Sequence, residues 1–307
     1  MPYASRKSLA GEVGLQLVPG NGAATSEPPA VAFRDVAAGY GGRTVIGQGD
    51  GGIDWRVERG AFVGVAGPSG AGKTTLVRLL TGQAERHRGR VEVHGHDVAR
   101  GGTRRIGYVP QLGTIDWDFP LTVEQTVLLG GTADSRPTPW FSRRERRHAR
   151  ALLDRLGIGD LARRHIRELS GGQQQRMFLA RAMVRDSDVL LLDEPTSGVD
   201  LRTRLDILEL LGDLNAEGLT VVLTTHDLNW VAAHLPRVAF LNGRIVAEGA
   251  PADVVTPGIL EEAYGSRMRV VHADGRVVVT DEYGALDGTS EAPHPPALRD
   301  AAASVTP

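Results

Sequence analysis

Cysteine is absent from all 307 residues. Disulfides, thiolate metal sites and cysteine nucleophiles are thereby excluded. Lysine is almost absent as well: of 35 basic residues only Lys7 and Lys73 are lysines. A lysine that persists against such an arginine bias stands out, which makes Lys73 a residue to account for. No run approaches the roughly 18–20 apolar residues that a membrane helix needs. The opening stretch, Met1 to Gly22, also lacks the apolar centre of a signal peptide. The expectation is a chain that stays in the compartment where it is made and reaches any membrane through a partner. Neither charge sign dominates: 35 basic residues face 37 acidic ones, a net charge of -2. Nothing in that balance attracts a polyanion, and no nucleic-acid partner is expected.

What is present is ordinary for a globular protein: 41% hydrophobic and 23% charged residues. The first thirty residues, rich in Gly, Ala, Ser and Pro and without periodicity, read as a disordered lead, 1–30. A main domain is expected over 31–265. A strand is expected at Val31–Phe33. The run AFVGVAG, Ala61 to Gly67, reads as a buried strand ending in a tight turn, followed by a helix from Lys73 to about Gly82. RVEVHGHDV and RIGYVPQ read as further short strands. Residues from about 112 to 185 read mainly as helices, an inserted helical subdomain. DVLLLDEP and TVVLTTHD are buried strands, separated by the amphipathic helix LDILELLGDLNAEG. Strands alternating with helices imply a parallel α/β sheet. Beyond Gly265 an extension, 266–307, is expected to form a hairpin around Asp274-Gly275 and then to be disordered.

The segment Gly67, Pro68, Ser69, Gly70, Ala71, Gly72, Lys73, Thr74, Thr75 has the form G-x-x-x-x-G-K-T between a buried strand and a helix. That context is what the motif requires of a phosphate cradle. Glycines let backbone N–H groups turn inward around phosphate oxygens, and the helix N-terminus adds the positive end of its dipole. Lys73 would reach the β and γ phosphates of a bound nucleotide, and the Thr74 hydroxyl would sit on Mg²⁺. DVLLLDEP delivers Asp193 to a strand end, where it can hold the Mg²⁺ shell, with Glu194 next to it as an acceptor for a proton from attacking water.

Those two motifs are shared by many nucleotide-binding proteins. ELSGGQQQRMFLARAM, from Glu168, narrows the choice: LSGGQ before an amphipathic helix, some twenty residues ahead of the acidic strand, resembles the signature of the ABC ATPases. Ser170, Gly171, Gly172 and Gln173 would stand at a helix start as an anion site. The resemblance implies a fold of α/β class with a P-loop NTPase (RecA-like) core, an antiparallel β portion near the N-terminus and the inserted helical subdomain. It also implies that this anion site faces the nucleotide of a second copy, hence a head-to-tail homodimer. Further matches follow in order: Gln111 for the glutamine that joins the Mg²⁺ site to the helical subdomain, Asp200 in SGVD for the interface loop, and His226 in TTHD for the histidine at the γ-phosphate. Tyr40 stands where the family keeps an aromatic against adenine. The implied partners are polytopic membrane permease subunits at the cytoplasmic face of the membrane and, indirectly, an extracytoplasmic substrate-binding protein.

IDWDFPLTVEQTVLLG, QQQR and LEEAYG resemble the branch serving manganese, zinc and chelated-iron importers. Thr196 and the GQGDGG stretch from Gly47 depart from that branch. Iron-siderophore transport and a non-transport ABC ATPase are the alternatives. Trp117 and Phe119 either face the permease or pack into the helical subdomain. The His94 and His96 pair reads as a turn near a strand end and not as a metal site, and the Arg143 run as a solvated helix face.

Overall fold

A computed structural model describes residues 27–49, 51–131, 141–273 and 276–281. The lead up to residue 26, the expected turn at Asp274-Gly275 and the tail after residue 281 lie outside these residues. The described chain begins with an antiparallel portion: β1 (Val31–Tyr40), β2 (Arg43–Ile46) and β3 (Ile53–Val57). Next come β4 (Phe62–Ala66), α1 (Lys73–Leu80), β5 (Glu85–Val93), β6 (His96–Asp97) and β7 (Ile106–Val109). The helical block is α2 (Val123–Gly130), α3 (Arg143–Arg155) and α4 (Gly171–Met183). The chain continues through β8 (Val189–Leu192), α5 (Leu201–Ala216), β9 (Thr220–Thr225), α6 (Leu228–His234), β10 (Arg237–Leu241) and β11 (Ile245–Gly249). It ends with α7 (Pro251–Val254), α8 (Pro257–Tyr264), β12 (Met268–Ala273) and β13 (Arg276–Asp281).

The central sheet has the order β11-β10-β4-β9-β8-β7. All of its neighbours run parallel except β11. Both faces are covered, which is why these strands read as continuous apolar runs. Val63, Val65, Leu191, Val222 and Ala239 face α1 and the antiparallel sheet, whereas Phe62, Leu190, Leu192, Leu223 and Phe240 face a core shared with α4, α5 and α8. β1 is longer than the three residues expected. It pairs with β2, β3 and β5. Asp35 interrupts its alternation at φ 50°, and the register slips between Phe33 and Val36, so the sequence pattern breaks where the strand does not.

Sequence signals explain the helix starts. Thr122, Ser142 and Ser170 each open a helix with a reciprocal capping box to Gln125, Glu145 and Gln173. The arginine-rich α3 buries Ala149, Leu152 and Leu153 on one face, and Arg150 clamps the buried Glu124 of α2 through two hydrogen bonds. The hairpin β12–β13 packs Val277 and Val279 into the main core, and Asn229 of α6 clasps the backbone of Val279 in both directions. No helix of the described residues is long and apolar enough to cross a membrane.

Candidate active site

Four adjacent parallel strands bring the expected residues to one edge. The glycine-rich loop leaves the C-terminal end of β4, His226 follows β9, Asp193 and Glu194 follow β8, and Gln111 follows β7. Open parallel sheets bind ligands along that edge. Gly72 adopts φ 99°, and a Cβ there would stand 2.2 Å from Ile46 Cγ2 of β2. Only glycine therefore fits the turn into α1. The Lys73 ammonium is folded over the loop, donating to Gly67 O at 2.7 Å and Pro68 O at 3.0 Å. Burial lowers its pKa, opposed by the charges of Glu194 and Asp193. Ser69, Gly70 and Thr74 are exposed; Ala71 and Thr75 are buried.

The acidic pair is held by a hydroxyl. Thr224 Oγ1 donates to Asp193 Oδ1 at 2.6 Å and accepts from the Glu194 N–H at 3.0 Å. Burial raises the Asp193 pKa, with the Thr224 hydrogen bond opposing it. Glu194 sits at φ 47°, a left-handed position that a non-glycine residue holds only under strain. Its carboxylate lies between Gln111, whose Nε2 donates at 3.4 Å, and His226, whose Nδ1 is 3.3 Å away. Gln111 turns its amide NH₂ toward Glu194, which leaves its Oε1 for a cation. That oxygen, the Thr74 hydroxyl and the Asp193 carboxyl are all donors of the kind that a small hard cation such as Mg²⁺ takes, and are the residues that could hold one.

A second group is built separately, on the first turns of α4 and α5. Ser170 Oγ accepts from Gln173 N–H at 3.4 Å, and Gln173 Oε1 accepts from Ser170 N–H at 3.0 Å. A Cβ on Gly171 would touch Val199 at 3.5 Å, and one on Gly172 would lie 3.0 Å from Thr203 Cγ2. The signature therefore lies directly on the 197–200 loop and α5. Asp200 caps α5, accepting from Thr203 N–H at 3.1 Å and Thr203 Oγ1 at 2.6 Å. Those bonds, the hydroxyl's foremost, hold its pKa below the usual carboxylate value. Tyr40 ends β1 and is 38% exposed, with the Arg78 guanidinium 5.8 Å from its ring centre.

The sequence profile described as ABC transporter matches residues 51–197. The zinc transport system ATP-binding protein TroB of Treponema pallidum is 40% identical over 242 residues, which span 78% of this chain and 88% of that protein. The manganese transport system ATP-binding protein MntB of Bacillus subtilis is 39% identical over 216 residues, 70% of this chain and 86% of its own. The chain belongs to the ABC transporter ATP-binding proteins. A solved ATP-binding cassette of an ABC transporter, in its ADP conformation, superposes with a TM-score of 0.67 at 25% identity, covering 77% of this chain and 98% of its own.

For this ABC ATPase, then, the expected family and fold stand. Sequence reasoning missed Thr224, Arg78 and the contacts of α5. For Thr224 the signal was its place in TTHD, two residues before His226. The aromatic alternatives divide: Trp117 packs edge-on against Phe178, centroids 6.0 Å apart, while Phe119 is 54% exposed. His94 and His96 also part company. His94 takes φ 49° and is buried beside Asp188, with Nε2 at 3.5 Å, whereas His96 is exposed. The GQGDGG stretch ties into the ABC core through Gly47 N–H donating to Gly243 O at 2.7 Å, and Gly243 N–H donating to Ala71 O of the phosphate loop at 2.9 Å.

Proposed function

We propose that this ATPase subunit powers uptake of a transition metal ion, manganese, zinc or iron, through separate polytopic permease subunits. It works as a head-to-tail homodimer at the cytoplasmic face of the membrane, with an extracytoplasmic binding protein delivering the ion. The zinc and manganese systems named among its relatives support the cargo. The observation that carries the chemistry is Glu194, held one residue beyond Asp193 between Gln111 and His226.

ATP enters with its adenine near Tyr40 and its phosphates against the N–H groups of Gly67 to Thr75. Lys73 exchanges the carbonyls of Gly67 and Pro68 for phosphate oxygens. Thr74, Asp193 and Gln111 would hold Mg²⁺, which when bound neutralises charge on the phosphate oxygens. Ser170, Gly171, Gly172 and Gln173 of the second copy present a hydroxyl and a helix N-terminus to the γ-phosphate, and the 197–200 loop with Asp200 lies at the seam. Glu194 takes a proton from the attacking water, a role worth about 10²–10⁴ in rate. His226 donates to the transferring phosphoryl group. The cycle draws its power from the difference between ATP and ADP in affinity for the closed dimer.

Glu194→Gln is expected to bind ATP, to lose nearly all turnover and to accumulate a dimer by light scattering; parent-like turnover would remove Glu194 from the role of base. Lys73→Ala should lose tight nucleotide binding in the same assay. Manganese and zinc uptake by cells deleted for the chain tests the cargo.

A further inference from the structure

His226 has a ring whose side chain is 63% exposed, so packing does little to aim it. The Glu194 carboxylate, 3.3 Å from Nδ1, and the backbone on either side share that task. Thr225 is the last residue of β9, and its Oγ1 accepts from the Asp227 N–H at 3.1 Å. Asp227 Oδ1 accepts from the Trp230 N–H at 2.9 Å and so caps α6. Its other oxygen, Oδ2, accepts from Arg204 Nη1 at 2.8 Å. Arg204 stands on the first turn of α5, next to Thr203, which holds Asp200 and touches the position of Gly172. One short path thus leads from the start of α4, through the first turn of α5, to the residue after His226.

We propose that Arg204 is a positioning residue for His226, acting through Asp227, and that the pair passes the seating of the signature and the 197–200 loop on to the histidine. This rests on the hydrolytic reading of His226 above. Neither side chain reaches nucleotide in this scheme. Arg204 sets where α6 begins, and the start of α6 sets where the ring points. The two side chains are 27% and 38% exposed, and a pair that open to water adds little to stability. A merely structural role therefore predicts a Tm change of at most about 4 °C and unaltered turnover. A positioning role predicts a different split, because a misplacement of about 1 Å can cost on the order of 100-fold in rate.

The test compares Arg204→Ala, Asp227→Asn, the double variant and Arg204→Lys with the parent chain, reading kcat, KM for ATP and Tm. Asparagine at 227 still caps α6 but carries no charge. We expect kcat to fall about tenfold or more in both single variants, with KM and Tm close to the parent. The double variant should be no slower than either single one, as for two halves of one interaction. Arg204→Lys should recover part of the loss. His226→Ala serves as the reference. If it is slow while Arg204→Ala and Asp227→Asn both keep kcat within about twofold of the parent, the positioning role is wrong and the reading of His226 stands. If His226→Ala itself turns over like the parent, the hydrolytic role of His226 falls, and this proposal with it. Should Arg204→Ala not fold, Asp227→Asn carries the comparison alone.

Discussion

Thr224 uses a single hydroxyl in two directions, donating to Asp193 and accepting from the Glu194 backbone. The acidic pair therefore stands in a fixed relation, with Glu194 held in a strained left-handed conformation. Asp193 has a consequence for pH. Burial raises its pKa above the 3.8 of an open chain. The native state thus keeps that proton at pH values where the unfolded chain has released it, and stability is lost as pH rises above about 4 through the native value. Asp193→Asn removes the effect while its amide oxygen can still accept from Thr224. Its Tm should exceed the parent's at pH 7 to 8, and the two should converge near pH 3.5; equal Tm values at neutral pH would contradict the burial argument. Lys73, Glu194 and His226 were legible in the sequence because their motifs are local. Thr224 and Arg204 were not, because their partners lie 31 and 23 residues away.

Helix starts were the most readable elements, since capping is decided within four residues. LSGGQ ahead of an amphipathic stretch announced α4, and the glycine-rich loop announced α1. Strand extents were less readable. β1 looked three residues long because Asp35 bulges out of the alternation. The entry to α1 also depends on a neighbour that no local pattern reveals, Ile46 of β2 against Gly72. Gly72→Ala would combine a methyl 2.2 Å from Ile46 Cγ2 with φ 99°. A cost of about 1–3 kcal/mol is expected from the strained backbone alone, together with weakened nucleotide binding. Chemical denaturation and ATP titration check both; parent values in each would mean that β2 gives way without loss.

At the scale of the whole molecule, the hairpin β12–β13 belongs to the body of the protein. Val277 and Val279 join the core that α4, α5 and α8 share, and Asn229 holds Val279 on both sides. A chain ended after Gly265 should lose about 3 kcal/mol or more from the two valines and leave the Asn229 amide unpaired. ATP affinity should be kept, because the hairpin packs against α6 and α8, whereas the phosphate loop joins β4 to α1. An unchanged Tm would show that the hairpin is dispensable. The sequence by itself determined the local chemistry: a loop that only glycines can turn, a lysine and a threonine at its end, a strand closing in two acids, a capped signature helix. Each of those is decided by a few neighbouring residues. Only the tertiary structure decided that β4, β9, β8 and β7 lie side by side in that order, so that Gln111, Glu194 and His226 meet above the phosphate loop. Strand order is set by which buried faces pack together over the whole chain, and no short stretch of residues carries that information.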